Sequence, residues 1–440
     1  MASHLGCSSD VSERHLSAGL PPGNHSAAVG RQILQTVLGN REVPVAFRLW
    51  DGSSISTGKH DCTLVFTHPG VLRDLVLHRD VYRLGEAYLN GELAVEGNLE
   101  TVFDLPKYLG QTPIPLSTRL SLLYKALRLP ASGTRRDARR IRAGFRARRN
   151  SQSSIAHHYD VGNDFYRLWL DPQMVYSCAY FRDETQSLAD AQCDKLDYLC
   201  RKLRLRPGQR LLDIGCGWGA LLLWAARHYG VKAHGITLSE EQYRFARERI
   251  AAEKLQDQVS VELRDYRDLN GEPRYDRVVS VGMFEHVGIE NFPVYFGAVR
   301  KMLAPDGLFL NHGITNDTGW RKTPLTRFIN RYVFPDGELA RISDVSTAME
   351  EAGFEILDVE GLRRHYALTL RHWTRALEEK RDLAIQVASA PVYRLWRLYM
   401  TGSAYYFDEG SINVYQILAG HAHSYTGVPL RRSDIYTDSA

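Results

Sequence analysis

Two groups of residues in this 440-residue chain are spaced so that they could do chemistry. The first is a glycine turn, Asp213-Ile-Gly215-Cys216-Gly217-Trp-Gly219, set between an apolar run at 210–214 and a helical pattern at 220–229. Glycine has no Cβ, so the backbone can turn sharply and a ligand can lie against it. The helix that begins there points unpaired N–H groups at the same place, which suits a polar or anionic ligand end. The second group can move protons. Glu285-His286 follows the apolar run 275–281, and His312 lies inside another, 307–313. An acid beside a histidine after a strand is either an acid–base pair or a surface pair. A histidine inside an apolar strand is either a reacting group or a satisfied core residue. Tyr366, read by itself, is indistinguishable from core.

The spacing of the glycines narrows the ligand. No Gly-Lys-Ser/Thr follows them, so this is not a phosphate loop. The next strand, 231–236, ends in Thr237-Leu238-Ser239 and not in the acid that would hold an NAD ribose. With Asp213 two residues before the first glycine, the turn resembles the S-adenosylmethionine site of a Rossmann-like methyltransferase.

Composition sets the outer bounds. The length allows two or three domains. A hydrophobic content of 44%, a charged content of 24% and a formal net charge of +4 are ordinary for a globular protein. The six cysteines form no C-x-x-C pair and no zinc spacing, and His157-His158 has no partner spacing either, so no metal site is expected. The thiols read as reduced, in a cytoplasmic protein. The first 25 residues have no apolar core and no run reaches the ~20 residues of a membrane span, so any membrane contact would be peripheral.

Along the chain, residues 1–28 read as a mobile N-terminus. Residues 29–125 read as a small α+β domain, with strands at 43–49 and 62–66 and helices at 71–77 and 99–109. Pro113, Pro115 and Pro130 interrupt the pattern, and eight arginines fall between 135 and 149. Residues 126–154 therefore read as an Arg-rich linker that could also meet an anionic surface. No nucleic-acid-reading motif accompanies that charge. A catalytic domain is expected over 155–425 and a tail over 426–440. Within it, helix 188–203 leads to strand 210–214. Strands at 231–236, 258–263, 275–281 and 307–313 then alternate with helices at 220–229, 239–253 and 291–303. Such alternation implies a parallel sheet covered on both faces, with ligands at the carboxyl ends of its strands. Beyond residue 320, helices are expected at 343–351, 366–390 and 392–406, rich in aromatic residues.

Several separated motifs then agree. His158-Tyr-Asp-Val-Gly-Asn-Asp-Phe165, Tyr176-Ser-Cys-Ala-Tyr-Phe181, the 213–219 turn, Thr237-Leu-Ser-Glu-Glu-Gln242 and Ser280-Val-Gly-Met-Phe-Glu-His-Val-Gly288 are similar to the cyclopropane-fatty-acyl-phospholipid synthase family. So are Leu310-Asn-His-Gly-Ile314, Tyr332-Val-Phe-Pro-Asp336 and His365-Tyr-Ala-Leu-Thr-Leu-Arg-His-Trp373. The resemblance implies a Rossmann-like class I methyltransferase domain with a seven-stranded, mostly parallel sheet, preceded by a small α+β lipid-binding domain. It implies S-adenosylmethionine held by Tyr159, Tyr176, Ser177, Asp213, Gly215, Cys216, Gly217, Gly219, Thr237, Leu238, Gln242, Asp265, Tyr266 and Arg267. It implies bicarbonate as base, held by Glu285, His312, Tyr366 and the backbone of Cys178 and Ile314. The implied reaction adds a methylene across a cis double bond of an acyl chain in a membrane phospholipid, in a homodimer at the inner face of the membrane. One departure stands out: many relatives carry a cysteine where Ser403 stands here, so a nucleophilic thiol there cannot be required.

Physical reasoning supports the same chemistry. An alkene is a poor nucleophile, so positioning must supply much of the rate, ~7–11 kcal/mol. A carbocation in the acyl chain needs an anion, aromatic faces and exclusion of water. Ring closure needs a base. Two other readings stay open at this point: a lipid C-methyltransferase that forms a methylene or methyl branch, and an inactive lipid-binding or transfer protein.

Overall fold

The computed structural model describes residues 24–110, 115–131, 162–271, 275–335 and 337–436. The first half comprises helices α1 (Asn24–Leu38), α2 (Pro69–His78), α3 (Val81–Asn90), α4 (Leu105–Leu109) and α5 (Leu116–Leu127), with strands β1 (Val45–Arg48), β2 (Ser54–Ile55), β3 (Cys62–Phe66) and β4 (Leu93–Gly97). These strands form one sheet in the order β2-β1-β3-β4, with β1 and β3 parallel and the outer pairings antiparallel. The second half has helices α6 (Asn163–Tyr166), α7 (Leu188–Lys202), α8 (Ala220–Tyr229), α9 (Glu240–Ala252), α10 (Phe292–Met302), α11 (Pro324–Tyr332), α12 (Ile342–Glu351), α13 (Arg363–Glu379), α14 (Arg381–Val387), α15 (Ala390–Glu409) and α16 (Ser433–Tyr436). Its strands are β5 (Arg210–Ile214), β6 (Lys232–Thr237), β7 (Val259–Leu263), β8 (Tyr275–Val281), β9 (Leu303–Asn316), β10 (Phe354–Gly361) and β11 (Ile412–His421).

The large sheet runs β10-β11-β9-β8-β5-β6-β7. Every pairing from β9 to β7 is parallel; β11 is antiparallel to both its neighbours. From β5 the chain moves outward to β6 and β7, then returns to lay β8 on β5's other side. The carboxyl ends of β5 and β8 therefore flank a topological switch point, where a crevice opens in folds of this kind. β5 is buried over Leu211–Ile214, as expected of a strand with a helix layer on each face.

Several boundaries move. Residues 25–28 belong to α1, with Ala27 wholly buried, so the N-terminal segment is ordered earlier than its polar composition implies. The proline-flanked stretch after 115 forms α5, and Ala126 and Leu129 are buried, so the small domain's core runs past residue 125 into the expected linker. Residues 426–440 are not a free tail throughout: α16 packs on α7 with Ile435 buried. The helix expected over 366–390 is two helices, broken at Lys380, and it begins at Arg363. Tyr159 and the arginines at 135–149 lie outside the described residues.

The small sheet does not stand alone. Its core includes Phe328, Tyr332 and Val333 from α11 and its end, and Leu395 from α15. Tyr332 Oη donates to Glu86 Oε1 at 2.7 Å, and Phe328 meets Tyr82 edge to face. Arg397, nearly buried, donates to Glu378 Oε1 at 2.5 Å, to Tyr88 Oη at 3.0 Å and to the Gly97 carbonyl at 3.3 Å. A guanidinium removed from water needs such a full set of acceptors.

Two helical glycines separate packing from propensity. A Cβ at Gly85 in α3 would lie 2.6 Å from the Phe328 ring, whereas one at Gly297 in α10 would meet nothing within 4 Å. Gly85→Ala is expected to cost about 1–3 kcal/mol through overpacking, and Gly297→Ala to gain about 0.5–1 kcal/mol through helix propensity. Urea unfolding of both variants checks this; effects of the same sign would contradict the packing.

Candidate active site

A cavity of about 120 Å³ opens at the switch point. Its walls come from the carboxyl ends of four strands: Asp213–Trp218 after β5, Ile236–Leu238 at β6, Arg264 and Tyr266 after β7, and Val281–Met283 with His286 after β8. Met174–Ser177 and Lys195 of α7 close the remaining side. The turn after β5 is built by Gly215, Gly217 and Gly219, all with positive φ (87°, 54° and 83°). The amides of Gly215 and Cys216 both donate to the Ile236 carbonyl, at 2.9 and 3.0 Å, so the turn folds over the end of β6. A side chain at 215 would also strike Met283, 2.9 Å away.

The structure brings Tyr176, Ser177, Asp213, Gly215, Cys216, Gly217, Thr237, Leu238, Gln242 and Tyr266 together around this cavity. Thr237 Oγ1 and Gln242 Oε1 are 2.8 Å apart, and Ser239 caps α9 by accepting from the Gln242 amide. Three expected residues are placed otherwise. Gly219 is the N-cap of α8 and lies close to Ala246, outside the lining. Asp265 accepts from Arg267 through its amide, Nε and Nη2, at 2.9, 3.0 and 2.6 Å. This pairing holds the Asp265 carboxyl low and turns the exposed Arg267 guanidinium back on its neighbour, so Tyr266 alone of the triplet reaches the cavity.

Sequence reasoning did not assign Lys195, Arg264, Trp218 or His286 to the site, and all four line the cavity. Lys195 is fully buried and donates to Ser177 Oγ at 2.9 Å; burial pulls it down to about 8, against the nearby Asp171 and Asp213 carboxylates. Burial pushes Asp213 up to about 7, and its Oδ1 has no partner among the described residues. A lysine at a buried position of α7, three residues after Gln192 and four before Leu199, was the available signal. Trp218 donates to Asn163 Oδ1 at 2.8 Å and fixes α6 against the turn.

Behind this cavity sits the proton-handling group, which does not line it. Glu285 is buried, and its Oε1 accepts from the Ile314 amide at 2.7 Å. Burial pushes the carboxyl up to about 7, and Oε2 has no partner among the described residues. His312 is two residues before Ile314 on β9, hence on the same face. Gln416 of β11, its register partner, places its amide nitrogen 3.2 Å from His312 Nδ1. An amide donating there leaves Nε2 carrying the proton. That Nε2 is buried and unpartnered among the described residues, and burial holds the ring neutral, down at about 3. Cys178 and Tyr366 share a core cluster, against which Ile314 packs. The Cys178 thiol is driven up by burial and donates to the Ala179 carbonyl at 3.3 Å, so it is no nucleophile. The Ile314 amide, part of the backbone expected beside the base, donates to Glu285.

The donor set fits the two groups that the sequence implies. The cavity's glycine cradle and the orphaned Asp213 Oδ1 suit a ligand bearing hydroxyl and amine groups. Glu285 Oε2 and His312 Nε2 are a buried acceptor-or-donor and a buried donor without a partner among the described residues, which suits a small oxyanion.

Comparison with known proteins agrees. The family model described as mycolic acid cyclopropane synthetase matches residues 146–417, and a domain of unknown function matches 33–106. A probable fatty acid methyltransferase of Pseudomonas putida is 42% identical over 414 residues, covering 92% of this chain and 99% of its own. The cyclopropane-fatty-acyl-phospholipid synthase of Escherichia coli K12 is 41% identical over 264 residues, covering 59% of this chain and 66% of its own. A mycolic acid cyclopropane synthase, CmaA1, solved in complex with SAH and CTAB, superposes with a TM-score of 0.57 at 37% identity, covering 60% of this chain and 96% of that one. With a glycine turn and a cavity at the switch point and a family match over residues 146–417, which takes in β5 to β10 and part of β11, the chain belongs to the cyclopropane synthase family of S-adenosylmethionine-dependent methyltransferases.

Proposed function

We propose that the chain transfers a methylene group from S-adenosylmethionine to the cis double bond of an unsaturated acyl chain in a membrane phospholipid, forming a cyclopropane. The observation that carries this reading is a pair of buried atoms without a partner among the described residues: Glu285 Oε2, on the turn after β8, and His312 Nε2, on the neighbouring β9. Ring closure after methyl transfer to carbon must take a proton from the transferred methyl group, which calls for a proton-handling group beside the methyl donor. When bound, S-adenosylmethionine supplies an electrophilic methyl group and bicarbonate supplies a base.

The chain's residues do the rest. The 213–219 turn, Thr237 and Gln242 hold the methyl donor, and Lys195 keeps Ser177 and Asp213 in place. His312 donates through Nε2 and Glu285, carrying a proton near neutrality, donates through Oε2; together with Tyr366 and the Cys178 backbone they orient the anion. Trp169, Tyr176, Trp373 and Trp396 pack with ring centroids 5.2 to 6.0 Å apart in a buried cluster whose Tyr176 lines the cavity; aromatic faces of this kind favour positive charge and exclude water. The Escherichia coli relative's name supplies the phospholipid, and the family resemblance supplies a homodimer at the cytoplasmic face. Among the described residues no helix is long and apolar enough to cross a membrane, so contact would be peripheral.

A second reading has its own support. A relative that covers 92% of the chain is named a probable fatty acid methyltransferase. Without ring closure the product would keep an alkene or a branch.

Expression in a bacterium with cis-unsaturated lipids separates the readings. Fatty acids that gain one methylene and lose the alkene support cyclopropanation, a retained alkene supports the branch, and no change overturns both. Glu285→Gln is expected to lower turnover by roughly 10²–10⁴, while SAH affinity, measured calorimetrically, stays within about twofold of the parent; equal turnover would remove Glu285 from the chemistry.

The raised Glu285 also predicts a pH dependence of stability. From 4.5 to about 7 the folded state keeps a proton that the unfolded chain releases. Stability is therefore lost as pH rises through that window, up to roughly 3 kcal/mol. Glu285→Gln removes this loss, so its advantage in Tm over the parent should grow between pH 5 and pH 8. A difference that stays constant with pH would mean the carboxylate is not buried as described.

A further inference from the structure

Helix α5 is apolar on two sides. Leu122, Ala126 and the following Leu129 are buried against the small domain, where α5 packs on α1 and α2. Pointing away from them, Leu116 is 71% exposed, Leu120 59%, Leu123 37%, Tyr124 65% and Leu127 62%. At about 100° per residue those four leucines fall within an arc of roughly 60°. Scattered exposed leucines are ordinary; a continuous stripe of four on one helix is not.

Charge borders the stripe. Arg119 flanks it on one side. On the other, Arg128 lies over the Tyr124 ring and also bonds His25 Nε2 at 2.7 Å. No Asp or Glu occurs between Asp104 and Asp137 in the sequence. An apolar face edged by cations, without acids, is the pattern of a helix lying in the headgroup region of an anionic lipid surface. A second copy of the chain is the poorer occupant, because face-to-face pairing would bring like charges together without relief.

We infer that the outward face of α5 seats the protein on an anionic phospholipid surface, with the four leucines entering the acyl boundary and Arg119 and Arg128 meeting headgroups at its two edges. This rests on the lipid substrate proposed above. It assigns the contact to one helix outside both the glycine-turn cavity and the matched segment 33–106.

Co-sedimentation tests it with the full chain, using vesicles of dioleoylphosphatidylglycerol and dioleoylphosphatidylcholine in equal parts, and of dioleoylphosphatidylcholine alone. Leu120→Glu/Leu127→Glu is expected to lower partition onto the mixed vesicles roughly tenfold or more, with Tm and SAH affinity unchanged. The parent should bind the mixed vesicles more strongly than the neutral ones and lose that preference in high salt. Parent-like binding by the double variant overturns the inference. Equal binding of the parent to neutral vesicles overturns the anionic assignment. A variant that turns from dimer to monomer in light scattering shows a face between copies, which also overturns it. Product formation distinguishes the two proposals: vesicle binding through α5 with no cyclopropane product sinks the reaction alone, and product made by a parent-like-binding variant sinks only the docking face.

Discussion

Glu285 is a carboxyl group held out of water with, among the described residues, a single hydrogen bond for its two oxygens, and much of the catalytic half serves that one placement. The bond comes from the Ile314 amide at 2.7 Å, so β9 must run close beside the turn that leaves β8. It can do so only because residue 313 is glycine: a Cβ there would stand 1.7 Å from the Phe284 ring. β11 then covers the other side of β9 and brings Gln416 to His312. A carboxyl in this setting prefers its proton, and an imidazole in the same setting refuses one. The site is thus stocked with neutral hydrogen-bond donors where a surface site would hold a charged pair.

The second constraint is separation. The cavity at the switch point is lined by Met283 and His286, whereas Glu285, between them in sequence, and His312 do not line it. Both sites are anchored to the same rigid strands, so their relative positions do not depend on a mobile loop. Lys195 links α7 to the cavity wall through Ser177, and its charge opposes the cost of keeping Asp213 dry.

The central β-α alternation was legible in the sequence because β5, β8 and the middle of β9 are buried on both faces and read as short apolar runs. β5, β8 and α8 fall where the pattern puts them. β10 was not read, because as an edge strand it buries only Phe354 and its sequence looks polar. β11 follows a long aromatic helical region and carries no turn signal that isolates it. α5 was hidden by the prolines around it. In the site, the glycine turn and Glu285 were visible from residue type and spacing. The self-pairing of Asp265 with Arg267 was not, since local hydrogen bonds between residues two apart leave no trace in a pattern of hydrophobicity. Lys195 was overlooked for a related reason: a lysine on a helix is ordinarily a solvated one.

Arg397 reaches from α15 into the small domain, and its partners there are Tyr88 and the carbonyls of Val95 and Gly97. A chain cut at residue 146, where the family match begins, would strip those acceptors from it and leave Phe328, Tyr332 and Leu395 facing solvent. The catalytic half is therefore not a detachable module. Any natural or engineered shortening of this protein has to resurface α11 and α15, and a lineage that shed the front domain would carry the scar of that resurfacing on those two helices.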